Sequence, residues 1–236
     1  AGRPRPQAKA YWLSVVERTG GDTDFTASQG LDARYGFQSN LQANLALNPD
    51  FSDVEAVYET VDQSYTERWL PEKRPFFTEG GEFFDSWLFY ARRVPDFDFG
   101  AKAYGKTSGT SFGALTTYYD ADRRSDAVVT LTQDVGTVNY ISATAVAKSQ
   151  PGDHNLALGT GGYWELLRRP RIGLTGQYGV TRSQALPTDS SLYVSMSARS
   201  SDDHWSLWSE YQDTGPDFNP TDGYEPETDL RRLSNS

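Results

Sequence analysis

The sequence contains no cysteine, two histidines and one methionine. Without thiols there is no disulfide framework, no thiol nucleophile and no cysteine-ligated metal, so the fold must stand on its sheet and core. His154 and His204 leave little for a histidine metal centre or a triad. Both open strand-like runs, where a surface position accounts for them. Positive charge is short as well. There are 22 Lys and Arg against 32 Asp and Glu, a formal net charge of -10, and the pI is near 4.7. That balance argues against a nucleic-acid partner held through phosphate contacts. No apolar run approaches the roughly 20 residues of a membrane helix. The opening AGRPRPQAKAYW carries no apolar signal core and reads as the start of a mature fragment.

What the chain does have is aromatic side chains on a polar average. They make up 14% of its 236 residues, while mean hydropathy is -0.64. A period of two reconciles these values. Phe25, Ala27, Gln29, Leu31, Ala33, Tyr35 and Phe37 alternate with Thr26, Ser28, Gly30, Asp32, Arg34 and Gly36. The same alternation runs through 41–47, 97–104, 111–118, 156–166, 171–180, 191–198 and 205–212, and less cleanly through 126–135 and 137–148. A first strand is expected over 7–18. Strands of about 8 to 13 residues exceed the usual 5–6 of globular sheets and match the tilted strands that cross a bilayer. Aromatics near strand ends (Tyr35, Phe37, Phe97, Tyr118, Trp164, Tyr178, Trp205, Tyr211) suit interfacial girdles. Glycines on the polar face (Gly36, Gly100, Gly113, Gly159, Gly173, Gly179) suit a crowded, curved inner wall.

The connections supply a second test, because membrane barrels alternate short turns with long external loops. EFFDSWLFYARRV (82–94) read as a strand breaks that rhythm. Folding 48–96 into one long connection restores it. The expected organisation is first barrel strands over 1–47, a long insert over 48–96, remaining strands over 97–212, and a long loop or tail over 213–236. This gives about 11 crossings, an odd number where single-chain bacterial barrels are even. The count implies either one missed strand or a barrel that continues past Ser236. The fold class expected is therefore all-β: an antiparallel transmembrane β-barrel, whole or partial, of about 11–12 strands with a long inserted loop. A soluble β-sandwich with one wet face per sheet explains the same alternation and fits the low mean hydropathy better, but explains less well the long strands, the loop rhythm and the Gly, Ser and Thr of the polar face.

The insert holds Asp50, Asp53, Glu55, Glu59, Asp62, Glu67, Glu72, Glu79 and Glu82. Two of these could serve a glycosidic bond as acid and base, with Glu72 or Asp53 the first to test. Isolated loop acids are more simply solvated, so no catalytic residue is assigned. No spacing matches a calcium loop, and neither metal nor cofactor is expected. PEKRPFF is read as a structural anchor. Pro71 and Pro75 stiffen the backbone, and Phe76 and Phe77 seat in an apolar niche. Glu72, Lys73 and Arg74 are expected to pair with wall charges facing the lumen: Asp32, Arg34, Lys102, Lys106, Asp134, Glu165 and Glu210. The turns DTD, DADRRSD and SDD read as solvated, and LRRPR as a basic turn suited to anionic headgroups.

LNPDFSDVEA (Leu47–Ala56) followed by PEKRPFF (Pro71–Phe77) resembles a bacterial family of outer-membrane proteins known as domain of unknown function 5916. Its typical stretch is close to NPDFSQVEAD…FFPEKRPFFLEG after an LKYGL strand. Here LDARYGF, NPDFSDVEA, PEKRPFFTEG, LFYARRV and, more weakly, GAKAYGKTSGTSFGAL and GPDFNPTDGYEPETDLRR correspond. Val57 stands where the family usually has Asp, and TVDQSYTERWL replaces an NLTRFE-like stretch. The N-terminal family-9-like carbohydrate-binding domain usual in the family and the later half of its barrel are not in this sequence. The resemblance implies a bacterial outer-membrane location and a pore, transport or envelope-complex role linked to glycan handling. Outer-membrane lipid is the implied partner, with envelope proteins or glycans beside it. The alternatives are a soluble carbohydrate-binding module and, behind it, a carboxylate glycosidase.

Overall fold

A computed structural model describes residues 6–19, 22–38, 40–49, 51, 69–224 and 227–236. The chain is all-β. Its strands are β1 (Pro6–Thr19), β2 (Asp22–Gln38), β3 (Leu41–Leu47), β4 (Phe99–Thr107), β5 (Thr110–Tyr119), β6 (Arg124–Val135), β7 (Asn139–Gln150), β8 (Asp153–Arg168), β9 (Arg171–Ser183), β10 (Asp189–Arg199), β11 (Ser206–Thr214) and β12 (Leu230–Asn235). All belong to one twelve-stranded antiparallel sheet in which each strand pairs only with its neighbours in sequence. Hairpin connections make this order cheap, because antiparallel neighbours need only a short turn. Among the described residues β1 and β12 form the two ends of the sheet and do not pair with each other. One continuous sheet is what the barrel expectation requires, and the alternative, a sandwich, would need two.

The pleat separates the side chains into two sets. One row, Thr130–Thr144–Gly159–Gly179–Ser191–Thr214, runs directly across six strands. Next to it, on the opposite face, runs Val129–Ala145–Leu158–Val180. The first face is polar, yet it is covered: Asn44, Lys102, Thr117, Asp126, Thr130, Asn155, Thr181 and Ser191 are buried. The second is apolar, yet bare: Val129 is 54% exposed, Leu131 48% and Leu158 49%. This inverts the arrangement of a water-soluble sheet, in which the apolar face is covered.

The cover comes from the long connection between β3 and β4, together with the connection between β11 and β12. Among its described residues the inserted segment contains one helical turn, α1 (Pro75–Thr78), and two single-turn 3-10 helices, Gly81–Phe83 and Ala91–Arg93. Residues 82–94 form no strand, only an isolated bridge between Ser86 and Phe89. The core lies between cover and sheet. Phe76, Phe77, Phe84, Leu88, Val94 and Phe97 of the inserted segment, and Phe218 of the second connection, meet Ala46, Tyr104, Leu115, Val128, Val146 and Ala157 of the sheet.

Two boundaries differ from the sequence reading. Phe97 fits the strand alternation but belongs to the inserted segment, buried beside Phe76 at 4.9 Å between ring centroids. The tail from 213 is not one open loop. Asp213 and Thr214 complete β11, and Leu230–Asn235 returns as β12, paired with Ser209–Thr214. Among the described residues the count is therefore twelve strands. Its six residues, half of them Arg and Ser, give too weak an alternation to be found by pattern.

The β11–β12 register can be tested directly, since the native chain has no cysteine to interfere. Tyr211 stands opposite Leu233. The double variant Tyr211→Cys/Leu233→Cys is expected to crosslink within one chain. Tyr211→Cys/Leu230→Cys, offset along the strand, is expected to crosslink poorly. Equal crosslinking of both pairs would show an unpaired tail.

Candidate functional site

The inserted segment is held together by one buried cation. Arg74 is 8% exposed. Its Nη1 donates to the carbonyls of Val94 (2.9 Å) and Pro95 (3.2 Å), and its Nη2 to that of Ala91 (2.7 Å). Nε and Nη2 also meet the two oxygens of Glu72 at 3.1 and 2.8 Å, a bidentate arrangement that a planar guanidinium favours. The guanidinium lies 4.4 Å from the Phe77 ring centroid, within cation–π range. Burial acts to raise the Glu72 pKa. The hydrogen bond and charge of the Arg74 side chain, with the amides of Arg74 and Lys73, outweigh it and hold the carboxyl below its usual value. A buried charge without such partners costs several kcal/mol, so the chain from 72 to 96 closes around Arg74.

Several polar ties fix this unit to the sheet, among them Arg124 of β6, which donates to the Arg93 carbonyl at 3.1 Å. Lys102 of β4 donates to the carbonyls of Phe76 and Glu79, the C-terminal end of α1, where orphan carbonyls need donors. Glu79 meets Arg34 of β2 at 3.1 Å and accepts from Asn44 of β3 at 2.9 Å. Thr130 of β6 donates to the Phe83 carbonyl. Two of the charges of PEKRPFF, Glu72 and Arg74, thus meet each other rather than the wall charges expected from the sequence. Glu72 and Arg74 satisfy each other because they stand two residues apart in an extended turn. Glu79, one turn further on, reaches the wall instead. The backbone N–H of exposed Lys73 donates to Glu72 at 2.9 Å. The Pro71 carbonyl accepts from Arg92 at 3.3 Å, and Pro75 opens α1 at its first turn.

Of the seven wall charges, all share the covered face by register. Arg34 and Lys102 touch the inserted segment, and Asp32 lines a small hollow with Phe76 and Glu79. Lys106 and Asp134 pair with each other at 2.5 Å. Glu165 meets Arg168 at 3.0 Å, and Glu210 stands between Ser195 and Ser234 in the ladder. Asp50, Asp53, Glu55, Glu59, Asp62 and Glu67 lie outside the described residues.

The wall glycines mark where the cover docks. An added Cβ on Gly113 would meet the Phe83 carbonyl at 2.7 Å, and one on Gly179 would meet the Trp87 ring at 2.6 Å. At Gly159 it would strike Leu88, which is fully buried. Close approach, rather than curvature, accounts for these positions.

The second connection docks beside the first and was not anticipated. Phe218 stacks on Trp87 at 5.6 Å. Asn155 donates to the Asn219 carbonyl at 2.9 Å, and the Tyr90 amide donates to the Asp222 carbonyl at 2.5 Å. Arg124 of β6 meets both Asp222 (2.7 Å) and Asp126 (2.9 Å). One guanidinium thus serves two buried carboxyls. Burial, with the Asp126 carboxylate next, pushes the Asp222 pKa up to about 8, against the opposing charges of Arg124 and Lys148. In the sequence, GPDFNPTDG stood only as part of a family resemblance; the wall partners of Asn219 and Asp222 lie 38 to 98 residues away.

A cavity of about 310 Å³ opens between the two layers, where Glu82, Asp85, Ser86 and Trp87 face Ser, Thr and Gly residues of β5–β9.

Comparison with known proteins gives two findings. The family described as Domain of unknown function (DUF5916) matches residues 6–110, which take in β1–β4 and the inserted segment. Among solved structures the chain is similar to OmpT (in-vitro folded), an outer membrane protein of Vibrio cholerae, at 10% identity and a TM-score of 0.36, over 100% of this chain and 96% of that one. Outer-membrane expressed OmpT of Vibrio cholerae gives 12% identity and a TM-score of 0.34, with 100% and 96% covered. No curated protein matches in sequence.

Two expectations follow. Gly113→Ala and Gly159→Leu overpack the interface, which costs about 1–3 kcal/mol. Faster limited proteolysis within 69–98 is expected, with unchanged far-UV circular dichroism. For Asp222, the folded protein binds a proton that the unfolded chain has released, so stability is greatest below the ordinary carboxylate range and falls as pH rises through about 8. Thermal melts should show that loss in the native chain, and Asp222→Asn should flatten it.

Proposed function

We propose that this chain forms the wall of a bacterial outer-membrane β-barrel, with residues 69–98 and 215–224 as an internal plug, acting as a pore, transport or envelope-complex component. The observation that carries the proposal is the inverted sheet. A single exposed Leu means little on any protein surface. Here the exposed apolar residues are direct cross-strand neighbours over β5–β10, and a contiguous apolar face of that extent needs lipid or a partner to cover it. Strands of 9 to 16 residues from β4 to β11 are long enough to cross a bilayer at a tilt. A free sheet edge is not tolerated in lipid, so this reading requires the edges of β1 and β12, which do not pair with each other among the described residues, to be paired in the membrane. The polar covered face and its seated segment match a lumen filled by its own loop. Commitment of Glu72 to Arg74 supports a structural rather than catalytic role for the anchor. Glycans and other envelope proteins are the partners that the family resemblance favours.

In this reading the full chain folds into detergent micelles or lipid vesicles and shows heat-modifiable mobility on a denaturing gel. Val129→Arg and Leu158→Arg each cost about 2–4 kcal/mol if they lie near the bilayer midplane, read as a lower urea midpoint in vesicles. A native chain that stays folded and monodisperse in detergent-free buffer would refute the membrane assignment.

A further inference from the structure

The cavity between the plug and the wall is not filled by either. Its volume, about 310 Å³, is at the lower end of the range for small-molecule sites, about 300–1,000 Å³. Its wall side presents short hydroxyls, Ser111, Thr132, Ser142, Thr144 and Thr175, with the amide of Gln177. Alternation places these on the same face of β5, β6, β7 and β9, so their polar ends converge on one space. Its plug side presents two carboxylates, Glu82 and Asp85, and the indole of Trp87. Neither carboxylate has a salt-bridge partner among the described residues, although such pairs are frequent elsewhere on this face. The lining includes no lysine or arginine. Trp87 is held in place, with Phe218 stacked on it at 5.6 Å and its ring edge against Gly179.

We infer that this cavity binds a small polar cation, an amine-bearing solute whose remaining groups hydrogen-bond to hydroxyls. The chemistry of each lining group points the same way. Carboxylates accept charge-assisted hydrogen bonds from an ammonium group, the stronger class. A fixed indole attracts a cation placed against it. Hydroxyls donate or accept as required and so serve a solute with several polar groups. An anion meets two like charges and no cation in the lining, since Lys102, whose charge acts on Glu82, is engaged by the Phe76 and Glu79 carbonyls; this costs affinity and slows entry. The inference rests on the plug-and-wall reading for the route by which solute arrives. The binding step itself needs only the cavity.

Three sugars of one ring shape and different charge provide the probe: glucosamine, glucose and glucuronate, titrated in mildly acidic buffer against the full chain folded in detergent. Isothermal titration and tryptophan fluorescence are expected to show saturable glucosamine binding, roughly tenfold tighter than glucose, one ionic contact's worth, with glucuronate weakest. Glu82→Gln/Asp85→Asn should remove that preference while the heat-modifiable fold is retained. Trp87→Phe, which keeps an aromatic ring against Phe218, should weaken glucosamine severalfold. Equal binding of all three sugars, or a preference that survives in Glu82→Gln/Asp85→Asn, overturns the site. Conductance in planar bilayers is read separately. Glucosamine selectivity in detergent without conductance keeps the site and sinks the pore; conductance without charge preference keeps the pore and sinks the site.

Discussion

The pleat of a single continuous sheet is the constraint from which the rest of this structure follows. Each strand sends alternate side chains to opposite faces, and with twelve strands in sequence order the same choice is repeated across the whole sheet. One face collects Val129, Leu131, Leu158 and Tyr178; the other collects Thr130, Thr144, Gly159 and Gly179. A slip of one residue in any strand would exchange the two sets. In water the first face would have been covered. Here the second is, and what covers it has to bring its own polar partners.

That requirement explains the chemistry of the inserted segment. An irregular backbone laid on a sheet has carbonyls that no ladder satisfies. Arg74 takes up those of Ala91, Val94 and Pro95 from inside the segment, and Lys102 takes up those of Phe76 and Glu79 from the wall. Both cations are buried and both are compensated, Arg74 by Glu72 and Lys102 by the nearby Glu79. The phenylalanines then fill the gaps between these ties, and the wall glycines let them come close. Aromatic packing supplies area, while the buried charges fix position.

The same division separates what was legible from what was not. Alternation over 25–37, 41–47 and 111–118 located β2, β3 and β5 because period two is a local property of the chain. The long connection was legible through loop rhythm, which again needs no spatial information. Phe97 was misplaced because a buried loop phenylalanine and an outward strand phenylalanine look alike when they fall in phase with the strand that follows. β12 was missed because Arg231, Arg232 and Ser234 give no apolar row to follow. The charges of PEKRPFF were read as pairing with the wall, whereas Glu72 and Arg74 close on each other; a string of letters does not show which way an extended turn points its side chains.

The sequence by itself determined the class of fold, the two unlike faces, and the presence of a separate unit between β3 and β4. Those depend on residue type and near-neighbour spacing. Only the tertiary structure decided which face the unit covers, that Glu79 rather than Glu72 or Arg74 ties it to the wall, and that Phe218 and Asp222 arrive from more than a hundred residues away to complete it. It also decided that Glu82, Asp85 and Trp87 line a cavity with the hydroxyls of β5–β9. These are pairings between distant positions. They are set by which buried groups can satisfy each other once the sheet has brought them within reach, and nothing in local spacing encodes that distance.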